Sequence, residues 1–214
     1  MEITFNDFTF NIKEINDLKV DSKLVKMIEE AIEKDLNKLF EEHKETFYCF
    51  TLNTSGEAFS VSFTAYSKEG LEKLVSKELK RNPEIDIEKE MHCLKWSYAD
   101  SPYSLYCYDE YFSHISDYIF NKREKLKTER QIDNHIEKVL NSMEKAMYNI
   151  DSKSKFSNGQ QRSNIIINVE FIPPDYTNVE RAFRLNPIDT ILSTNYIEAL
   201  EFEYFQEYLE EINN

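Results

Sequence analysis

The sequence predicts an α+β fold, with an antiparallel or mixed β-sheet, a β-hairpin near the N-terminus and several covering α-helices. Long stretches repeat their apolar residues at helical spacing, and shorter ones alternate apolar with polar residues. The chain of 214 residues holds only three glycines, which disfavours a sandwich or barrel with many tight turns. The stretches follow in the order α-β-β-α-β-α-α-β-α-α. This order is typical of α+β domains, and we expect residues 1–214 to form a single one.

The clearest elements come first in the chain. A helix is predicted over residues 22–44, where apolar residues recur at helical spacing and Asp21 or Ser22 can cap the first turn. Residues 47–52 are apolar on both faces, as in a central strand, and a turn containing glycine follows. Residues 59–65 then alternate, which predicts a half-buried strand and completes a hairpin. The inward side chains of that strand would be Phe59, Val61, Phe63 and Ala65.

The remaining elements are predicted from the same two patterns. A helix at 67–80 capped by Ser67 is followed by a loop at 82–90, a strand at 91–97 and a helix at 109–121. The next helix runs from Thr128 to Met147, with Gln131 in its capping box, and a linker-like stretch at 151–163 follows it. The chain then continues with a strand at 165–171, a short helix opened by Thr177 and Glu180 and ended at Asn186-Pro187, and a last helix at 195–211. The last helix is rich in glutamate, so we expect it to be a docking field for a basic partner.

Composition limits the classes of partner and compartment. The net charge of −14 disfavours nucleic acids and anionic membranes, and it suits a basic protein partner, although acidity also simply keeps a protein soluble. Three widely spaced cysteines do not form a disulfide framework. No signal peptide or membrane-spanning stretch is visible. We therefore expect a soluble cytoplasmic protein, and its oligomeric state is left open.

Motifs for catalysis, metals and cofactors are not found. The four histidines are scattered, and only His92 adjoins a cysteine, Cys93, whose side chain would point to the opposite face of a strand. Cys49 lies within an apolar strand, and Cys107 has no neighbouring base that could activate it. Glycine loops for phosphate and the nucleophile elbow are absent. The sequence therefore predicts no catalytic residue, no metal ligand and no cofactor.

One segment, residues 94–108, concentrates residue types that favour binding. It holds the only tryptophan of the chain and four tyrosines, and Trp and Tyr combine a large contact area with a polar tip. Ser97 or Asp100 could also accept bonds from nearby backbone N–H groups and fix a turn. Alternatively, the tryptophan anchors the core and the tyrosines line its edge. The candidate binding residues are Trp96, Asp100, Tyr103 and Tyr106.

The same segment carries a resemblance. Residues 94–100, with Trp96, Ser97, Ala99 and Asp100 forming the pattern Trp-Ser-x-Ala-Asp, resemble a bacterial family named domain of unknown function 4303. The likeness extends to an N-terminal helix leading into a hairpin and to a late strand at 165–169. In the family an aromatic residue follows the Asp directly, whereas here Ser101 and Pro102 come before the next aromatic residue, so no role is carried over to it.

The resemblance implies a bacterial cytosolic protein, and it supplies no catalytic residues because the family has no assigned activity. Relatives of this kind are suspected of serving as immunity proteins beside secreted toxins. Our first hypothesis is therefore a non-enzymatic protein that binds a basic, toxin-like partner. The second is an enzyme or small-ligand binder with its site around Trp96 and Asp100. A deep pocket with a perturbed carboxyl at Asp100 would favour the second, and an acidic surface with exposed aromatics the first.

Overall fold

The computed structural model describes residues 2–5, 8–174 and 176–196, and the side chains of 12–174 and 177–196. Its strands are β1 (Glu2–Phe5), β2 (Phe8–Asn11), β3 (Phe47–Ser55), β4 (Ser62–Ser67) and β5 (Ile166–Ile172). Its helices are α1 (Ser22–Glu42), α2 (Lys68–Arg81), α3 (Ile87–Lys95), α4 (Ser113–Arg123), α5 (Glu129–Ser152), α6 (Tyr176–Leu185) and α7 (Ile188–Thr194). The glutamate-rich helix predicted at 195–211 lies, from residue 197 onward, outside the described residues.

The central sheet has three strands in the order β4-β3-β5. β3 and β4 form the predicted hairpin and pair antiparallel, with Phe50 opposite Ala65. β5 pairs parallel with β3, with Phe50 opposite Ile167. The sheet is therefore mixed, and with the helices it confirms the α+β fold. β1 and β2 form a separate two-stranded antiparallel sheet that the sequence analysis did not predict.

One face of the sheet is apolar and packs against α1 and α5. Phe50 stacks on Phe63 with ring centroids 5.9 Å apart, and Phe63 stacks in turn on Phe112 at 6.2 Å. Phe156 reaches the same cluster, with its ring 5.2 Å from Phe50, so the stretch predicted as linker-like is packed into the core. The side chains that the three strands, and the residues directly before β4 and β5, contribute to this face are Phe47, Phe50, Leu52, Val61, Phe63, Ala65, Ile165, Ile167 and Val169.

The other face is largely polar and still buried, because α6 and α7 pack against it. Asn53 donates through Nδ2 to the hydroxyls of Thr51 and Thr64, both at 3.1 Å. Asn168 donates to the hydroxyl of Tyr196 at 3.1 Å, and that hydroxyl donates to Glu170 at 2.6 Å. Polar side chains that alternation alone would place in solvent are thus bonded to one another beneath two helices.

Both outer strands of the sheet have some of their outward backbone groups bound by residues from elsewhere in the chain. On β5, the amide of Asn186 accepts from Ile167 N at 2.9 Å and donates to Ile167 O at 2.7 Å. Asn178 makes the same pair of bonds with Phe171 at 2.8 and 3.1 Å. On β4, Ala65 O accepts from the hydroxyl of Ser101 at 2.6 Å. Residues distant in sequence therefore act as partners for the two strand edges.

Several predicted helix starts are confirmed. Asp21 accepts bonds from the amides of the first turn of α1, and Ser67 accepts from Gly70 N at the start of α2. Gly70 leaves room there, since a Cβ at this position would come within 3.0 Å of Pro102. Thr128 opens α5 with the predicted capping box. α6 begins at Tyr176, one residue before the predicted cap. None of the described helices is long and apolar enough to span a bilayer.

Several predictions about local structure were wrong. α3 replaces the strand at 91–97 and the second half of the loop at 82–90, and its first amides are capped by Asp86, whereas residues 82–86 form the predicted loop. Phe59 is exposed rather than buried, because a turn with Ala58 at φ 54° delays the start of β4 to Ser62. The helix α7 was missed, since it follows directly on the proline that was expected only to end α6.

Candidate functional site

The segment 94–108 leaves the end of α3, crosses the edge of β4 and enters a short π-helical turn at Tyr108–Phe112. Its side chains divide between the interior and the solvent. The predicted binding residues Tyr103 and Tyr106 lie together, with rings 5.8 Å apart. Trp96 packs into the core on the polar face of the sheet, and Asp100 is exposed. The four residues therefore occupy three different environments.

Trp96 is a packing residue between two helix ends. Its ring lies 4.8 Å from that of Tyr196, which follows α7, and 5.5 Å from that of Tyr48 in β3. The ammonium group of Lys95 stands 4.5 Å from the Trp96 ring centroid and donates to Thr194 O at 3.1 Å. These contacts hold the end of α3 against α7, because the Lys95 ammonium group and the rings of Tyr196 and Tyr48 all contact the Trp96 indole.

Tyr103 and Tyr106 bond to carboxylates near the end of α1. The Tyr103 hydroxyl donates to Glu45 at 2.7 Å, and the Tyr106 hydroxyl donates to Glu42 at 2.6 Å. Burial raises the pKa of both tyrosines, and the adjacent carboxylates raise it further. Burial acts to raise the pKa of Glu45, but bonds from Lys73, Ser67 and Tyr103 together lower it. Both tyrosine hydroxyls therefore stay protonated and donate hydrogen bonds that hold segment 94–108 against the end of α1.

Asp100 stands on the outer surface. Its carboxylate accepts from the hydroxyl of Ser97 at 2.5 Å, so the bond found here joins two side chains rather than a side chain and a backbone amide. Asp100 lines an open groove of about 570 Å³ between α2 and α3. The groove walls carry both signs of charge, and Leu74, Cys93, Leu94 and Ala99 form apolar parts of the lining.

An exposed apolar row on α3 escaped the sequence analysis. Ile87, Met91 and Tyr98 are 44%, 39% and 37% exposed, and α3 contributes no buried residue. Ile87 and Met91 are one helical turn apart on α3, and Tyr98 lies in the turn that follows the helix. We define the α3 surface as these three residues with the exposed acids Asp86, Glu88 and Asp100 and the half-buried Glu90. The helical spacing of Ile87, Met91 and Leu94 was the signal that could have revealed it.

Titratable groups elsewhere offer limited chemistry. Asp35 of α1 is fully buried, and among the described residues none donates to either of its carboxylate oxygens. Burial raises the pKa of Asp35 to about 8. Burial also raises the pKa of the Cys49 and Cys107 thiols, which disfavours the thiolate that a nucleophile requires. Within the described ranges, no three His, Cys, Asp or Glu residues are grouped so as to hold a metal ion.

A family model described as Domain of unknown function (DUF4303) matches residues 28–187, which is more than half of the chain. The matched range runs from α1 to the end of α6 and includes the whole central sheet and the α3 surface. No curated protein and no solved structure matches the chain.

Proposed function

The chain belongs to the family described as Domain of unknown function (DUF4303), and from this premise we propose that it is a non-enzymatic protein that binds a basic partner protein through the α3 surface. Under this proposal it acts in the bacterial cytoplasm as an acidic, immunity-type protein, and the partner is a toxin-like domain. The carrying observation is that α3 buries none of its residues, while Ile87 and Met91 on the helix and Tyr98 just after it are exposed apolar residues.

The apolar row supports a binding role because exposed apolar residues in a single row are costly to leave in water. A helix of a folded protein normally buries such a stripe. Here Ile87, Met91 and Tyr98 remain accessible, and a partner could bury them together. Tyrosine and methionine are enriched at the centres of protein interfaces. A few such anchors would supply most of the binding free energy.

The charges around the row support a basic partner. Residues 84–100 carry five carboxylates, namely Glu84, Asp86, Glu88, Glu90 and Asp100, against the two ammonium groups of Lys89 and Lys95. Lys95 is already occupied by Thr194 O and the Trp96 ring. An excess of negative charge beside an apolar row steers basic partners toward it and raises their association rate.

The aromatic residues singled out by the sequence take a positioning role in this proposal. Trp96 fixes the end of α3, and Tyr103 holds the following segment on Glu45. Tyr98 and Asp100, which lie between these two anchored residues in the sequence, would make the contacts with the partner. Tyr106 is half-buried and would contribute through its bond to Glu42.

The proposal is tested by capturing the partner and measuring its binding kinetics. The tagged protein is used in a pull-down from its native host, and association is then followed across a salt series. The association rate constant should fall steeply between 0.1 M and 1 M salt, as the Debye length shrinks from ~10 Å to ~3 Å. A partner whose association ignores salt would rule out electrostatic steering.

Paired variants locate the contact. Tyr98→Ala and Met91→Ala should each weaken binding by ~2 kcal/mol or more if they are anchors, and Asp100→Asn should mainly slow association. The matched control is Tyr148→Ala, since Tyr148 of α5 is 38% exposed and Tyr98 is 37% exposed. Equal effects of Tyr98→Ala and Tyr148→Ala would place the partner elsewhere on the surface.

A small-ligand function is the second candidate, favoured by the open groove that Asp100 lines. Its volume lies within the ~300–1,000 Å³ range of ligand pockets. If the pull-down returns a metabolite and no protein, and Asp100→Asn abolishes its retention, the ligand function replaces the partner-protein proposal.

A further inference from the structure

A second groove, separate from the α3 surface, lies between α5 and α6 near the end of β5. Its volume is about 490 Å³, a size typical of small-ligand sites. Four half-buried apolar side chains line it. They are Leu18 before α1, Ile136 and Leu140 on successive turns of α5, and Phe171 in β5. An apolar lining of this kind favours a ligand with a hydrocarbon part.

The arginines in the lining are already engaged. The guanidinium group of Arg184 donates through Nε and one terminal nitrogen to the two carboxylate oxygens of Glu144, which is fully buried. Its other terminal nitrogen lies 3.6 Å from Glu180. Arg181 donates to Val169 O at 2.8 Å and to Asn178 Oδ1 at 2.6 Å. Two carboxylates thus offset the charge of Arg184, and Arg181 is held against β5.

Unlike these arginines, the carboxylates on the α5 wall have no ion-pair partner among the described residues. Asp133 and Glu137 both line the groove, and their spacing of four residues places them on one face of the helix. Within the part of the chain that the structure describes, neither carboxylate forms an ion pair, and both residues are exposed. The remaining charge of the lining is Lys13, a single exposed ammonium group. With Glu144 included, the groove has four carboxylates against the three cations Lys13, Arg181 and Arg184, and, among the described residues, the two carboxylates on the α5 wall are the ones without an ion pair.

We propose that this groove binds small amphipathic cations, namely alkylammonium or alkylguanidinium compounds. The hydrocarbon part covers Leu18, Ile136 and Leu140, and the cationic head is bound by Asp133 and Glu137. An ammonium group satisfies the two carboxylates with charge-assisted hydrogen bonds, while the alkyl chain removes apolar surface from water. An anionic analogue of the same length meets the same apolar lining but is repelled at the α5 wall.

The test uses hexylammonium and hexanoate, at constant pH and ionic strength, with binding followed by amide NMR shifts. Hexylammonium should shift resonances of residues 133–141 and 177–184, and its affinity should rise about twofold to fourfold per methylene from butylammonium to octylammonium. Hexanoate should cause no shifts in these ranges at the same concentration. Equal affinities for hexylammonium and hexanoate, shifts that map elsewhere, or no binding of hexylammonium would overturn the proposal.

Charge variants separate a local site from the general acidity of the chain. The double variant Asp133→Asn, Glu137→Gln should weaken hexylammonium binding about tenfold or more, since bonds between charged groups are lost. The control Glu30→Gln, Glu41→Gln removes the same net charge from exposed positions of α1 and should leave the affinity unchanged. Equal losses in the two double variants would show non-specific attraction and refute the site.

Discussion

The two faces of the central sheet are built from neighbouring residues of the same strands, but different interactions hold them. Phe50, Phe63 and Ile167 point to one side and pack with α1 and α5 through apolar contacts. Thr51 and Asn168, beside them in sequence, point to the other side and take part in hydrogen bonds beneath α6 and α7. The residues of both faces are nearly all buried.

Apolar packing and buried hydrogen bonds place different requirements on the helices that cover each face. Apolar packing is non-directional, so a substitution of similar volume can be accommodated on that face. Buried polar groups need partners with correct geometry, and a group left without one costs about 1–3 kcal/mol. The polar face and its edge therefore depend on particular side chains, such as Asn186 directly after α6 and Tyr196 shortly after α7. We expect the two faces to respond differently to mutation.

The largest effect should come from the apolar face. Phe63→Ala should lower the free energy of unfolding by ~3–5 kcal/mol, because the ring is fully buried between those of Phe50 and Phe112. Ser62→Ala, one residue earlier and only partly buried, should cost well under half of that. Denaturant melts measure both. Equal costs would mean that the two faces are wrongly assigned.

The next effect concerns the strand edge beside the polar face. Asn186→Ala should cost about 2–4 kcal/mol, because it leaves the buried N–H and C=O groups of Ile167 without their side-chain partner. The control is Asn134→Ala, since Asn134 is exposed and bonds only to its own helix at Arg130 O. Its cost should stay within about 0.5 kcal/mol. Similar costs in melts of the two variants would contradict the edge role.

Asp35 sharpens the comparison because it is a carboxyl in the apolar layer. Its pKa of about 8 in the folded protein exceeds the ordinary value of ~3.9, so the unfolded chain releases this proton first as the pH rises. The stability contributed by the protonated carboxyl is therefore present below pH ~4 and lost progressively up to about pH 8. The loss is at most ~1.4 kcal/mol per pH unit.

Asp35→Asn should remove this pH dependence and raise the free energy of unfolding at pH 8 by about 1–3 kcal/mol relative to the unmodified protein. Melts from pH 4 to pH 8 measure it. Asp117→Asn changes the same group at an exposed position and should keep the unmodified profile. Superimposable profiles for Asp35→Asn and the unmodified protein would show that the carboxyl is not held protonated.

The smallest effect should come from one hydroxyl of the polar face. Burial raises the pKa of Glu170 to about 7, although the bond from Tyr196 and the charge of Arg181 oppose the rise. Tyr196→Phe should therefore raise the pKa of Glu170 above this value and cost ~1 kcal/mol of stability. Carboxyl-carbon NMR titration measures the pKa. A lower pKa in the variant would contradict the assigned hydrogen bond.

The sequence predicted those parts of the fold that depend on local interactions. The hairpin and the caps at Asp21, Ser67 and Thr128 depend on interactions between residues that are close in sequence, and they are confirmed. α3 was misread because a helix without buried residues has a weak periodic signal and a tryptophan at its end resembles a strand residue. The family resemblance is confirmed by the match over residues 28–187.

The polar face and the site could be predicted only in part, because they depend on contacts between distant residues. Alternation assigned Ser62 and Thr64 to solvent, and nothing near them in sequence shows that Thr64 is buried and bonded to Asn53. The segment 94–108 was singled out for its aromatic content, and its role in binding stays a prediction. Which of its side chains would point outward depends on α1 and α7, which lie far away in sequence.

The occupied backbone groups at the edges of the central sheet affect whether a strand of another chain can pair with it. An open strand edge is a template on which another chain can add a strand, the first step of edge-to-edge aggregation. Asn186, Asn178 and Ser101 occupy the backbone groups that such a strand would need. At these positions, a strand of another chain would first have to displace the bound side chains before it could pair with β4 or β5.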